Sequence, residues 1–113
     1  MFKWISGRQQ SGYKKLCFLN SKWLKADGYL LKYSVGSKID WHTDPVLDGY
    51  KHYRLNIVFW PCKEGGKFIC EGKPLFQLGQ SIIFFRPDIQ KHFVTEILNG
   101  SRYVLSIGWL GKA

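Results

Sequence analysis

Short runs of β-branched and aromatic residues recur along the chain, parted by glycine, proline, asparagine and aspartate about every eight to twelve positions, the spacing of an all-β sandwich or barrel. Six runs read as strands: GYLLKYSV (28–35), HYRLNIVFW (52–60), GKFIC (66–70), QSIIFF (80–85), KHFVTEIL (91–98) and SRYVLSIGW (101–109). The turns between them fall at Val35-Gly36-Ser37, Asp48-Gly49, Glu64-Gly65-Gly66, Gly72-Lys73-Pro74, Arg86-Pro87-Asp88 and Asn99-Gly100. Upstream, SGYKKLCFLNSKWLKA fits a strand followed by a turn, or a short amphipathic helix through Tyr13, Leu16, Cys17 and Trp23; the strand is favoured. With no repeat, low-complexity tract or linker, the expectation is one domain over residues 1–113, in which residues 1–28 cover a β core of residues 29–110.

The last run has two unlike faces. Tyr103, Leu105, Ile107 and Trp109 fall on one side, and Arg102, Val104, Ser106 and Gly108 on the other. The bulky side needs cover, for which the segment around Trp4 and Trp23 is available. The small side, carrying one arginine, suits the wall of a ligand cavity better than a filled core.

Composition then narrows the class. Aromatics make up 17% of the 113 residues and hydrophobic residues 45%, which excludes a disordered chain. Seventeen Lys and Arg against eight Asp and Glu give a net charge of +9, spread along the chain. Such a field concentrates anions, whether phosphate backbones, acidic peptides or small dicarboxylates, although a solvated lysine surface gives the same count. Three cysteines, Cys17, Cys62 and Cys70, form no C-x-x-C pair and argue against a secreted disulfide framework. They read as small buried hydrophobes, with Cys62 and Cys70 flanking a Gly-Gly turn across which they can face each other. No apolar run approaches ~18 residues, so the expectation is a soluble, cytoplasmic protein.

Candidate chemistry starts in IDWHTDP, residues 39–45. On an extended backbone His42 and Asp44 project to the same side, where an imidazole nitrogen and a carboxylate oxygen can share one point. Alone, such a triplet is a common surface turn. A third ligand is available in His92, and two histidines with one carboxylate make the facial triad that binds iron(II) and leaves three adjacent positions open. Distant strands of a jelly roll can meet in this way. His52 has no partner at metal-ligand spacing and reads as a surface or loop residue; Asp40 and Asp48 lack the i+2 relation to a histidine.

From about Tyr29 to Leu110 the chain resembles the iron(II)/2-oxoglutarate-dependent oxygenases of double-stranded β-helix (jelly-roll, cupin-like) fold, especially the prolyl-4-hydroxylase-like group and its short bacterial and phage members. Tyr33-Ser34-Val35-Gly36 followed by His42-Thr43-Asp44 matches a tyrosine nine residues before His-x-Asp. Gly65-Gly66-Lys67-Phe68 matches a Gly-Gly turn before a T-x-F strand, without its usual polar residue, and QSIIFFRPD resembles the strand before the distal histidine. Arg102 falls ten residues after His92, where the family has a basic residue, and Trp109 matches a following tryptophan. The resemblance implies iron bound by His42, Asp44 and His92. It also implies that Arg102 holds the far carboxylate of 2-oxoglutarate, with a hydrogen bond from Tyr33. The implied reaction consumes dioxygen, releases succinate and carbon dioxide and hydroxylates a substrate, or demethylates it when the hydroxylated carbon sits on nitrogen.

A regular two-residue hairpin at Asn99-Gly100 would put His92 and Arg102 on opposite faces, so the site requires an irregularity between them, for which the polar Thr95-Glu96 is the place. As to substrate, oxidative nucleic-acid demethylases of the same superfamily carry a second arginine on the inner face of the last strand. Here that face offers Val104, Ser106 and Gly108. The +9 charge suits nucleic acid or an acidic protein partner, but the prolyl-hydroxylase-like spacing of the resemblance favours a protein or peptide substrate, with Trp41, Asn56, Arg86 and residues 48–53 as rim candidates. Two rivals lie outside enzymology: a cupin-like module that binds a small acid or sugar without turnover, and a basic β-barrel that binds single-stranded nucleic acid through exposed aromatics.

Overall fold

In a computed structural model the described residues are 4–6, 13–44, 46 and 48–112. They form twelve strands: β1 (Trp4–Ser6), β2 (Lys14–Ser21), β3 (Ala26–Tyr33), β4 (Ile39–His42), β5 (Tyr50–Trp60), β6 (Glu64–Gly65), β7 (Phe68–Cys70), β8 (Phe76–Leu78), β9 (Ile82–Phe85), β10 (His92–Val94), β11 (Ile97–Asn99) and β12 (Arg102–Lys112). No helix occurs among the described residues, and thus none long and apolar enough to cross a membrane. Of the SGYKKLCFLNSKWLKA segment, the described residues 13–26 are strand, then turn, then the start of β3, and the helical option falls away.

A seven-stranded antiparallel sheet runs β1-β2-β3-β12-β5-β9-β8. Against it lie a three-stranded sheet, β4-β10-β7, and the β11-β6 pair. Their inner faces share one core, where Tyr33, Ile83, Phe85 and Val104 of the large sheet meet Phe68, Val94 and Ile97 of the small ones. Phe68 meets the Phe85 ring edge-on at 4.8 Å. The architecture is all-β as the pattern predicts, and a jelly roll as the family resemblance implies.

The two faces of β12 divide as its alternation requires. Arg102, Val104 and Ser106 are 1–3% exposed and face inward, while Tyr103, Leu105, Ile107 and Trp109 are half-buried on the outside. The outer face takes its cover from neighbours in its own sheet, with Trp109 stacking on Phe84 at 5.6 Å and on Tyr53 at 6.1 Å. The N-terminal strands do not lie over it. They extend the large sheet sideways, and Trp23, in the turn between β2 and β3, is 88% exposed. The side chain of Trp4 lies outside the described residues.

The irregularity between His92 and Arg102 is present and goes beyond a bulge. KHFVTEIL breaks at Thr95-Glu96 into β10 and β11, and Asn99-Gly100 closes no hairpin with β12. Instead β11 pairs with β6, while β12 pairs with β3 and β5. The turn carries the chain from one layer to the other, with Gly100 at φ 84° and the Asn99 carbonyl accepting from the Lys63 N–H at 2.9 Å. Cys17, Cys62 and Cys70 are free thiols and half-buried rather than buried; Cys62 lies in the loop between β5 and β6, Cys70 ends β7, and they do not pair.

Candidate metal centre

β4 and β10 are neighbours in the three-stranded sheet, and their register sets His42 directly opposite His92. Cross-strand partners share a face, so two histidines fifty residues apart meet with ring centroids 4.2 Å apart. Asp44 follows just past the end of β4, where its N–H donates to the Pro87 carbonyl at 2.8 Å. One carboxylate oxygen lies 3.6 Å from His42 Nε2 and the other 3.8 Å from His92 Nε2. The three donors lie within 4.8 Å of one another, a separation that an ion at about 2 Å from each closes with small side-chain rotations.

Both rings are turned the right way for this. His42 Nδ1 donates to the Asp40 carbonyl at 2.7 Å, and His92 Nδ1 donates to the Gln90 carbonyl at 2.8 Å. A carbonyl only accepts, so each Nδ1 carries the proton and each Nε2 presents its lone pair to the shared point. Asp40, set aside as a ligand, orients one through its backbone. Gln90 does more: its amide nitrogen donates to the carbonyls of Glu71 (3.1 Å) and Lys73 (3.0 Å), and its amide oxygen accepts from the Arg86 N–H (2.8 Å). This ties down the loop that delivers His92. Phe68 and Phe85 pack on the His92 ring at 5.8 and 4.9 Å and keep it 6% exposed.

The triad opens into a cavity of about 240 Å³ under the large sheet. At one end, Arg102 and Tyr33 are opposite each other in the β12–β3 register and only 3% exposed each. The guanidinium lies over the Tyr33 ring at 4.8 Å, and Tyr13 stacks on that ring at 5.0 Å. No ion pair among the described residues involves Arg102, leaving a buried guanidinium without a carboxylate. Burial pushes the Tyr33 hydroxyl up to about 12 against the opposing pull of Arg102, so it stays a neutral donor.

The other end is built around Asp27 and Arg54, which the sequence pattern did not single out. Asp27, Gly108 and Arg54 align across β3, β12 and β5. Because Gly108 has no side chain, the Arg54 guanidinium occupies the space a Cβ there would fill. It donates to Asp27 Oδ1 at 2.6 Å and to Ser106 Oγ at 2.7 Å. The inner face therefore does carry a second arginine, supplied by β5, and its absence from β12 no longer separates the substrate classes. The available signal was the alternation His52, Arg54, Asn56 and Val58 along β5, opposite small residues of β12. His52 lines this cavity and is no loop residue; burial, then the Arg54 charge, lower its pKa against Asp44 and Asp27. Asn56 also lines the wall, and its Oδ1 is buried without a hydrogen-bond partner.

Of the remaining rim candidates, His52 within residues 48–53 faces the cavity, whereas Trp41 and Arg86 do not line it. Trp41 alternates with His42 and so faces away, packing on Phe93 at 4.2 Å, which alternates with His92 in the same way. Arg86 is held by Asp88 through contacts of 2.6 and 2.8 Å. Of residues 48–53, Asp48 and Gly49 form a turn and the rest is the start of β5. Trp109 is on the outer face, stacked as described.

Neither a protein-family model nor a curated protein matches the sequence. Solved structures do. A cupin-2 domain protein of Rhodospirillum rubrum aligns with 99% of the chain at TM-score 0.62 and 9% identity, covering 72% of that protein. The fold is that of a cupin. A cupin-2 conserved barrel domain protein of Salinispora arenicola aligns with 90% of the chain and 79% of its own length, at TM-score 0.55 and 10% identity. A viral collagen prolyl hydroxylase of Paramecium bursaria Chlorella virus-1, solved as a 2-oxoglutarate complex, aligns with 77% of the chain and 59% of its own length, at TM-score 0.52 and 16% identity.

Proposed function

We propose that the protein is an iron(II)- and 2-oxoglutarate-dependent dioxygenase that hydroxylates a protein or peptide residue. The observation that carries this reading is the pairing, in one cavity, of a two-histidine, one-carboxylate donor set with a buried arginine that has no carboxylate of its own. The donor set fits iron(II), since imidazole and carboxylate suit that ion and three donors on one side leave the other side open. The arginine fits a diacid co-substrate, because a buried cation requires an anion and the described residues pair none with it. The fold likeness to a prolyl hydroxylase supports the same reading.

When bound, iron(II) with 2-oxoglutarate and dioxygen supplies oxidative decarboxylation to succinate and carbon dioxide, with the second oxygen atom entering a C–H bond of the substrate. The chain's part is placement. His42 and His92 present Nε2 lone pairs fixed by the carbonyls of Asp40 and Gln90, and Asp44 adds a carboxylate oxygen. Arg102 would hold the distal carboxylate through charge-assisted hydrogen bonds and Tyr33 would donate one more, with Tyr13 stacked on the Tyr33 ring. Leu31, Val104, Phe68 and Phe85 give the cavity apolar walls between its polar groups.

The test is anaerobic titration with iron(II) and 2-oxoglutarate, then admission of oxygen and measurement of succinate. The wild type binds both and releases succinate, and His92→Ala lowers the yield at least about 100-fold. Absence of binding, or unchanged succinate in His92→Ala, overturns the reading. Tight 2-oxoglutarate binding with no succinate identifies a cupin-like binding module instead.

A further inference from the structure

Beside the metal cavity, a second cavity of about 530 Å³ is lined by Lys22, Lys25, Trp109 and Leu110, and it shares Asp27 and His52 with the first. Those two residues stand at the junction, so a chain lying in this groove adjoins the metal cavity. The groove's carboxylate, Asp27, is engaged by Arg54, whereas Lys22 and Lys25 have no ion-pair partner among the described residues. The turn that supplies both lysines also carries Trp23, 88% exposed, and Leu24, 60% exposed. It is a fixed turn. The Leu24 N–H donates to Ser21 Oγ at 3.1 Å, the Lys25 carbonyl accepts from the Leu110 N–H at 2.9 Å, and Lys25 is held at φ 52°, where non-glycine residues stay only when their surroundings determine it. Large apolar side chains on a rigid support lose little entropy on binding, which is how interface anchors work.

We infer that this groove and the turn beside it dock the macromolecular substrate, and that the substrate is a peptide segment in which acidic residues flank an apolar one and an uncharged target side chain passes Asp27 and His52 towards the metal centre. The inference rests on the oxygenase reading and extends it to substrate class. Lys22 and Lys25 select carboxylates, and Trp23 with Leu24 receives the apolar residue. The junction itself offers no free charge, because Arg54 and Asp27 neutralise each other. Asn56 Oδ1, buried and unpartnered, accepts an N–H of the kind a peptide offers at almost every residue. Single-stranded nucleic acid fits less well: it needs a succession of free rings, and Trp109, the other aromatic residue of the groove, is already packed in a cluster with Phe84 and Tyr53.

The experiment measures binding of a fluorescein-labelled Asp-Glu-Asp-Leu-Asp-Glu-Asp peptide by anisotropy, without iron or 2-oxoglutarate, so that it succeeds or fails separately from the succinate assay. Its comparators are the Asn/Gln version of the same peptide and a thymidine heptanucleotide. The acidic peptide binds at least about tenfold more tightly than either. Lys22→Glu/Lys25→Glu and Trp23→Ala each weaken it at least about tenfold, while the charge-matched Lys63→Glu/Lys73→Glu, on exposed residues elsewhere, changes it less than about twofold. Melting curves confirm that all variants are folded. Equal binding of the neutral peptide, tighter binding of the oligonucleotide, or an equal loss in the Lys63/Lys73 control overturns the inference.

Discussion

The cavity has a guanidinium at each end, and the two are treated oppositely. Arg102 is buried over an aromatic ring with no carboxylate, whereas Arg54 is satisfied within the fold by Asp27 and Ser106. A buried cation left without its counter-ion is a standing cost to stability, tolerated where a ligand brings the missing charge. A cation already neutralised shapes a wall. The same residue type on the same sheet face thus reads as anion receptor at one end and as scaffold at the other, and only its neighbours tell the two apart.

That contrast breaks most visibly on substitution. Arg102→Leu is expected to weaken 2-oxoglutarate binding by about 100-fold or more, read by titration, whereas Arg54→Leu changes it by less than about threefold. Equal losses would erase the distinction. The second test is alkaline stability. Unfolded tyrosine ionises near 10 and Tyr33 in the fold only at about 12, so the native state holds its proton longer and stability falls as pH rises from 10 towards 12. Denaturant titration should show a loss on the order of 3 kcal/mol across that window, and Tyr33→Phe should flatten it. The smallest effect belongs to the scaffold end. Gly108→Ala puts a methyl group where the Arg54 guanidinium lies and should cost about 1–3 kcal/mol in urea melts, with 2-oxoglutarate affinity unchanged. A shifted affinity would mean that Arg54 serves the co-substrate after all.

The parts legible in the sequence were those with a local or periodic signature. Alternation gave β5, β9 and β12 nearly in full, and the i+2 relation made Asp44 the carboxylate that faces both histidines. The break at Thr95-Glu96 was legible because a regular ladder contradicted a shared face for His92 and Arg102. The pairing of β11 with β6 was not, since Asn-Gly favours a tight turn without saying which layer the chain enters next. Nor was the Arg54 end: its partners stand 27 and 52 residues away and meet it only across three registered strands, through the blank that Gly108 leaves. The short strands β4, β6 and β8 escaped notice because two to four residues carry too little alternation to rise above a loop.

Tyr13 gives the N-terminal strands a different meaning from the cover first assigned to residues 1–28. Its ring stacks on Tyr33, the ring that Arg102 lies over, and Lys15 and Asp27 line the same cavity. A fragment starting at Tyr29 would keep Tyr33, His42, Asp44, His92 and Arg102, every residue by which such a site is recognised in a sequence. It would present them in a chamber with one side missing.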